Sequence, residues 1–300
     1  MNELTTDLKL LHEATLNNLK NSKAHNTLRA YKSDFKDFGA FCAKNGLNSL
    51  PTEPKIVSLY LTHLSKNSKI STLRRRLVSI SMVHKMKGHY LDTKHPIIIE
   101  NLMGIRRVIG SIQRGKKPIL INHLKLIIDT INQQKTEEIK KLRDKSLILV
   151  GFGGGFRRTE LVSIDYQDLE FVPEGLKITI KKSKTDQFGE GMIKGLPYFA
   201  NENYCPVKNL NKWLEISKIK SGPIFRRFSK GISLTDKRLT DQSVVLLIKK
   251  YLNLAGMENK NFAGHSLRSG FATVAAESGA DERSIMAMTG HKTTQMVRRY

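Results

Sequence analysis

Three stretches of the chain carry side chains whose types and spacing suit phosphate chemistry. In "GHSLRSGF", His265 and Arg268 stand three apart. If a helix begins there, imidazole and guanidinium share one face near the positive end of the helix dipole. Two donors converging at a helix N-terminus suit a phosphate oxygen. In "GGGFRRTELVSI", the glycines at 153–155 allow a tight bend before Arg157 and Arg158. Glu160 follows Arg157 by three residues, on the same helical face, where its carboxylate could hold that guanidinium. In "KKSKTDQFGEG", a basic strand runs into a glycine turn. A lysine there could reach a phosphate and, with a lowered pKa, give a proton to a leaving oxygen. Each stretch also has a plainer reading: a chance HxxR, a helical surface ion pair worth roughly a few tenths of a kcal/mol, a solvated hairpin tip. The final residues, "GHKTTQMVRRY", set Gly290 and His291 ahead of Tyr300, which is either a frayed helical tail or a reactive group.

The elements that must position these residues follow from periodicity. From about residue 10 to 110 the pattern is helical. Leu28, Tyr31, Phe35, Phe38 and Phe41 recur at three- and four-residue steps, and Gly46 is placed to end that helix. Thr52 and Pro54 suit a helix first turn. Ser71 is expected as a cap before a Leu73/Leu77/Ile80/His84 stripe that Gly88 stops. A shorter helix covers "IENLMGIRRVIGS", making four amphipathic helices with basic outer faces. Residues 111–119, "SIQRGKKPI", break periodicity and read as a basic linker. Helices are expected at about 122–134 and 138–151. Short strands follow in "GLKITIKKSK" and "MIKGLP", with "DLEFV" able to pair beside them. Helices resume at "CPVKNLNKWLEIS" and "TDQSVVLLIKKYLNLAG", and the last three cover about 266–278, 281–288 and 293–300. Trp213, Leu210 and Leu214 read as core. His84, His89 and His123 are assigned no role.

The 300 residues carry 51 Lys plus Arg against 27 Asp plus Glu, a formal charge of +24 spread over both halves. So basic a folded chain repels itself unless a polyanion is present, which makes nucleic acid the leading partner. No apolar run approaches the roughly 20 residues of a spanning helix, and the N-terminus lacks the order of a signal peptide. Cys42 and Cys205 are far apart, which disfavours a zinc site or a disulfide framework and suits buried free thiols in a reducing cytoplasm. There is no convincing carboxylate cluster for a two-metal nuclease and no GxxxxGK[ST] loop, which fits a chemistry that needs no cofactor, neither metal nor ATP.

Taken together and in order, Arg157 with Glu160, Lys184, His265-x-x-Arg268, Gly290-His291 and Tyr300, nine residues beyond His291, resemble the tyrosine recombinase (phage integrase) family. The likeness covers nearly the whole chain, and "GHSLRSGFATVAAESGADERSIMAMTGHKTTQMVRRY" is similar to the family's C-terminal signature throughout. It implies a mainly α protein with a small antiparallel β-sheet: a helical core-binding, SAM-like domain over 10–110, the linker 111–119, and an α+β catalytic domain over 120–300. By the same resemblance, Tyr300 is the nucleophile, forming a 3′-phosphotyrosyl link and releasing a 5′ hydroxyl. Arg157 and Arg268 hold the two non-bridging oxygens, and Arg157 rather than Arg158 fits the family's order of arginine, any residue, Ser or Thr, Glu, Leu. Lys184 is the general acid for the 5′ oxygen. His265 assists proton removal from the tyrosine or bonds the phosphate, and His291 adds another hydrogen bond.

The physical logic agrees. A phenol has a pKa of about 10 and is a poor nucleophile at neutral pH unless cations or a base favour its anion. Fixed guanidinium groups stabilise the charge that develops on an attacked phosphodiester. The partners implied are a double-stranded DNA recombination site and a homotetramer assembled on it, with no membrane, in the cytoplasm at the nucleoid. Arg74, Arg75, Arg76, Arg106, Arg107, Lys116 and Lys117 are candidate phosphate contacts, against the plainer reading of a solvated charged face. Two other functions remain: a DNA-binding accessory protein that does not cut, and a type IB topoisomerase-like relaxase. Because family members usually continue past the tyrosine, the native chain is expected to extend beyond Tyr300.

Overall fold

In the computed structural model, the described residues are 2–110, 115–181, 191–229 and 233–298. The backbone divides into two compact units, Met1–Arg114 and Gly115–Tyr300.

The first unit is helical: α1 (Asn2–Asn21), α2 (His25–Lys44), α3 (Pro54–Ser65), α4 (Ile70–Met86) and α5 (Pro96–Ile109). Four of these match the expected helices, and α1 is additional. It was not singled out, although Leu4, Leu8 and Leu11 recur at four- and three-residue steps. The core gathers Phe38, Tyr60, Leu61, Leu73, Ile80 and Ile98, all at most 1% exposed. Burial on that scale is worth about 1.5–3 kcal/mol per side chain. Ser71 does not cap α4. The helix starts one residue earlier, and its N-cap Lys69 makes no side-chain cap bond. Thr52 likewise lies ahead of α3, whose N-cap is Glu53. The Thr52 backbone N–H instead donates to His84 Nε2 at 3.1 Å, while His84 Nδ1 lies 2.9 Å from the Ile80 carbonyl. Only the neutral Nδ1–H tautomer satisfies both contacts, so this buried histidine is a structural bracket between α4 and the approach to α3.

The second unit is built round α7 (Glu138–Gly153), in which every residue from Leu142 to Phe152 is buried. A helix buried on all sides over eleven consecutive residues belongs at a domain centre. Its buried polar groups are paired: Asp144 takes Arg143 at 2.6 Å and the Tyr251 hydroxyl at 2.6 Å, Lys145 donates to Asn203, and Ser146 donates to the Asn209 carbonyl. Around it lie α6 (Ile121–Gln133), α8 (Arg158–Ser163), α9 (Pro206–Ser217), α10 (Asp241–Leu254), α11 (Ser266–Glu277), α12 (Glu282–Thr289) and α13 (Thr294–Val297). Strands β1 (Leu169–Val172), β2 (Gly175–Ile180) and β3 (Met192–Pro197) form an antiparallel sheet in that order. Leu169 faces Ile178, and Ile178 faces Lys194. The expected "DLEFV" pairing is therefore present. A second hairpin, β4 (Arg226–Phe228) with β5 (Leu234–Arg238), was not legible in its polar sequence. Cys42 and Cys205 are buried free thiols, and Trp213, Leu210 and Leu214 are core.

Residues 115–119, part of the expected linker, are bonded into this second unit. Lys117 N–H donates to the Asn261 carbonyl at 2.8 Å and Ile119 N–H to the Ser266 carbonyl at 2.9 Å. The approach to α11 is so close that a Cβ on Gly270 would lie 1.9 Å from the Ile119 carbonyl oxygen. Glycine is required there by contact, not by backbone angle.

Candidate active site

The glycine run that ends α7 sets up the first half of the site. Gly155 has φ +53°, and a Cβ there would meet the Phe271 ring at 2.8 Å. The chain turns at this point and starts α8 with Arg157 as N-cap. Glu160, at the third position of α8, accepts from the Arg157 backbone N–H at 3.0 Å and from its Nη1 at 2.5 Å. The carboxylate thus caps the helix and fixes the guanidinium together. Glu160 is buried, so this is not the exposed surface pair of the plainer reading. Arg157 Nη2 donates to the Gly290 carbonyl at 3.2 Å. Gly290 presents that carbonyl because it ends α12 in the left-handed conformation, φ +63°. Arg158 diverges and pairs with Asp241 on α10 at 3.1 Å.

The second half comes from α11. His265 is its N-cap residue and exposed, and Arg268, three residues on, is fully buried. Arg268 Nη1 donates to the Gly155 carbonyl at 3.0 Å. The two arginines are therefore tied to one short segment: Arg157 emerges two residues after Gly155, whose oxygen holds Arg268. After α12, His291 Nδ1 lies 2.8 Å from the Thr289 hydroxyl, which also contacts the Ile285 carbonyl at 2.5 Å. A hydroxyl has one proton for these two neighbours. With that proton on the shorter contact, the imidazole donates through Nδ1–H.

Charge interactions link the same groups. His291 is pushed down to about 4, first by burial and then by Arg268, Arg157, His265 and Lys194. Lys194 is pushed down to about 7, chiefly by burial, with Arg268 and Arg157 adding and Glu160 opposing. Several cationic or protonatable groups around one buried carboxylate form a site short of negative charge, suited to an anion. Among the described residues, no group of three or more His, Cys, Asp or Glu could hold a metal ion.

The depressed His291 value has a measurable consequence. Free imidazole titrates at 6.5, so between that pH and about 4 the unfolded chain binds a proton that the folded one does not. Stability therefore rises with pH across that window and is flat above it. Urea denaturation near pH 7 and near pH 4.5 should show a smaller stability gap for His291→Gln than for the parent chain. An unchanged gap would mean that His291 titrates normally.

Lys184 lies in 182–190, between β2 and β3, and Tyr300 follows Arg298; both are outside the described residues. Of the candidate phosphate contacts, Arg74, Arg106 and Arg107 are exposed on α4 and α5. Arg75 and Arg76 both pair with Asp34 on α2, and Arg76 also with Asp37 at 3.3 Å. Asp34 is buried and needs those cations, which ties the two arginines to holding α2 and α4 together. Lys116 donates to the Lys260 carbonyl at 2.6 Å, and Lys117 is exposed. Sequence reasoning did not single out Lys194 or Thr289. The only signal for Lys194 was strand alternation, which places it on one face with Met192 and Leu196 without saying which face is buried.

Residues 121–300 match the phage integrase family, and residues 14–88 match the phage integrase N-terminal SAM-like domain. An integrase/recombinase xerD homolog of Selenomonas ruminantium is 43% identical over 285 residues, 94% of this chain and 83% of that protein. Among solved structures, the Tn1549 transposon integrase in complex with transposon right end DNA superposes with a TM-score of 0.66. That match has 14% identity and covers 95% of this chain and 92% of that one. A lambda integrase tetramer bound to a Holliday junction gives 0.61 at 14% identity, covering 92% and 74%. The structural likenesses establish the fold. Together with the family match and the 43% identical relative, they place this chain in the phage integrase family: it is a site-specific tyrosine recombinase, an enzyme that breaks and rejoins DNA strands.

Proposed function

We propose that this chain recombines a double-stranded DNA site through Tyr300. The tyrosine oxygen attacks the scissile phosphorus, a bond forms from Oη to phosphorus, and the bond from phosphorus to the 5′ oxygen breaks. His265 takes the phenol proton and Lys184 gives one to the departing 5′ oxygen, so a 3′-phosphotyrosyl link and a 5′ hydroxyl result. Rejoining reverses the step with the 5′ hydroxyl of the exchanged strand. One phosphodiester replaces another through a covalent link, so no nucleotide is consumed. Arg157 and Arg268 hold the two non-bridging oxygens, with His291 beside them. Their fixed guanidinium groups supply the charge stabilisation that a metal gives in other strand-cleaving enzymes.

The observation that supports this reading best is the Gly155–Glu160 segment, which anchors both arginines through one carbonyl and one carboxylate. The exposed cations of α4 and α5 are proposed to add sequence-independent phosphate contacts. Assembly as a homotetramer on paired sites is proposed from the likeness to the lambda integrase tetramer. Action at the cytoplasmic nucleoid belongs to the same proposal, and among the described residues no helix is long and apolar enough to cross a membrane.

The test begins with selection of bound DNA from a random pool. The selected duplex, nicked so that the cleaved fragment is released, is then incubated with the protein in the presence of EDTA. A covalent protein–DNA species resistant to denaturation is the expected outcome. Specific binding without an adduct would favour the accessory reading. An adduct that leads to relaxation but never to strand exchange between two sites would favour the topoisomerase-like one.

A further inference from the structure

Lys194 is a charged side chain with no access to solvent, in a strand position that its neighbours would fill with an apolar group. It stands on β3 between Met192 and Leu196 on the inward face, opposite Ile178 of β2. Burying an amine is unfavourable unless its protons find acceptors. Here they do. Nζ lies 2.8 Å from the Gly154 carbonyl, 3.5 Å from the Gly155 carbonyl and 3.9 Å from Glu160 Oε2. The ammonium also sits 4.3 Å from the centroid of the Phe156 ring. Among the described residues, the hydrogen-bond, ion-pair and ring partners of this lysine all lie within Gly154–Glu160.

Those same atoms hold the arginines. The Gly155 carbonyl accepts from Arg268 as well as from Lys194. Glu160 Oε1 accepts from the Arg157 guanidinium, while Oε2, which accepts from the Arg157 backbone N–H, also faces Lys194. Arg157 starts α8 and Arg268 belongs to α11, so their separation depends on how the Gly154–Glu160 segment is held. We propose that Lys194 is a positioning residue for strand cleavage, clamping that segment from β3 so that Arg157 and Arg268 keep one spacing across the scissile phosphate.

The proposal rests on the recombinase reading above. Lys194 directs its amine at the Gly154 carbonyl and the Glu160 carboxylate, so its role here is positioning rather than catalytic and does not compete with Lys184. Its partial discharge near neutrality, caused first by burial, adds a second consequence. An anionic phosphate held by the two arginines offsets their repulsion of the ammonium and favours its charged, clamping form. The grip is thereby tightened when DNA is present. The clamp also links β3, paired with β2, to the segment that carries Arg157.

A double-mutant cycle on single-turnover adduct formation tests it, using the full chain and the nicked selected duplex. Lys194→Met keeps the volume of the side chain and removes its charge, and Lys194→Gln keeps a donor for the Gly154 carbonyl. Either is used if its thermal midpoint stays within about 5 °C of the parent's. Loss of a fixed spacing should slow adduct formation by about 100-fold, with DNA affinity changed less than about 3-fold. In an Arg157→Ala background, the same substitution should cost less than about 5-fold, because the group it positions is already gone. Equal costs in both backgrounds would overturn the positioning role, as would a rate within about 3-fold of the parent's. Unfolding of both variants would likewise assign Lys194 to stability alone. If the parent chain forms no adduct, the recombinase reading fails and this proposal with it; if the parent reacts and the cycle is additive, only the positioning role fails.

Discussion

Tyr300→Phe is expected to form no covalent adduct on the nicked site, a loss of at least about 10⁴-fold in cleavage, with DNA binding nearly unchanged. Only one oxygen is removed, and it is the atom proposed to attack phosphorus. A phenyl ring offers no substitute nucleophile, and water in its place would leave no protein–DNA bond. Binding persists because the phosphate contacts come from a basic surface whose attraction is spread over many cations. Denaturing gel electrophoresis with end-labelled DNA reads the adduct, and gel shift reads the binding. An adduct that survives the change refutes the nucleophile assignment and moves it to another residue of the chain.

Removing a guanidinium from the phosphate should be nearly as damaging. Arg157→Ala and Arg268→Ala are each expected to slow adduct formation by about 10³-fold. A pentacovalent phosphorus concentrates negative charge on its non-bridging oxygens, and a donor fixed in advance stabilises it without reorganising. Both arginines are fixed in advance: Arg157 by Glu160 and the Gly290 carbonyl, Arg268 by the Gly155 carbonyl and its complete burial. Lysine cannot reproduce this arrangement, because a point charge on a flexible stem replaces a planar fork. Arg157→Lys and Arg268→Lys should therefore recover no more than about 10-fold of the loss. Each alanine change removes one phosphate contact, so the slope of log affinity against log salt should fall by only about 0.9. Cleavage within tenfold of the parent would show that the arginine does not touch the reacting phosphate.

Part of the candidate site was legible in the sequence because phosphate chemistry asks for uncommon side chains at helical spacings. His265 and Arg268 could be placed on one face of a helix start because three residues make nearly one turn, and α11 begins where that spacing puts it. Arg157 and Glu160 were paired by the same rule, and the glycines before them announced a turn. The β2–β3 hairpin was legible from period-two runs on either side of a glycine-rich segment. The family likeness rested on the order of these pieces, which no single motif supplies.

What remained hidden depended on which distant side chains meet. Arg75 and Arg76 look like part of a phosphate-tracking face in one dimension, yet Asp34, on the neighbouring helix, takes them both. His84 lacked a visible partner because one of its two partners is a backbone N–H 32 residues away. Lys194 was not singled out, since alternation says that it shares a face with Leu196 but not that this face is covered. Local spacing is set by covalent geometry, and for that reason the sequence by itself determined the family and the starts of the helices that carry the candidates Arg157, Glu160, His265 and Arg268. Burial and long-range pairing are set by how elements pack. Tertiary structure alone therefore decided that one carbonyl, at Gly155, holds Arg268 while a buried lysine from another strand braces the same turn.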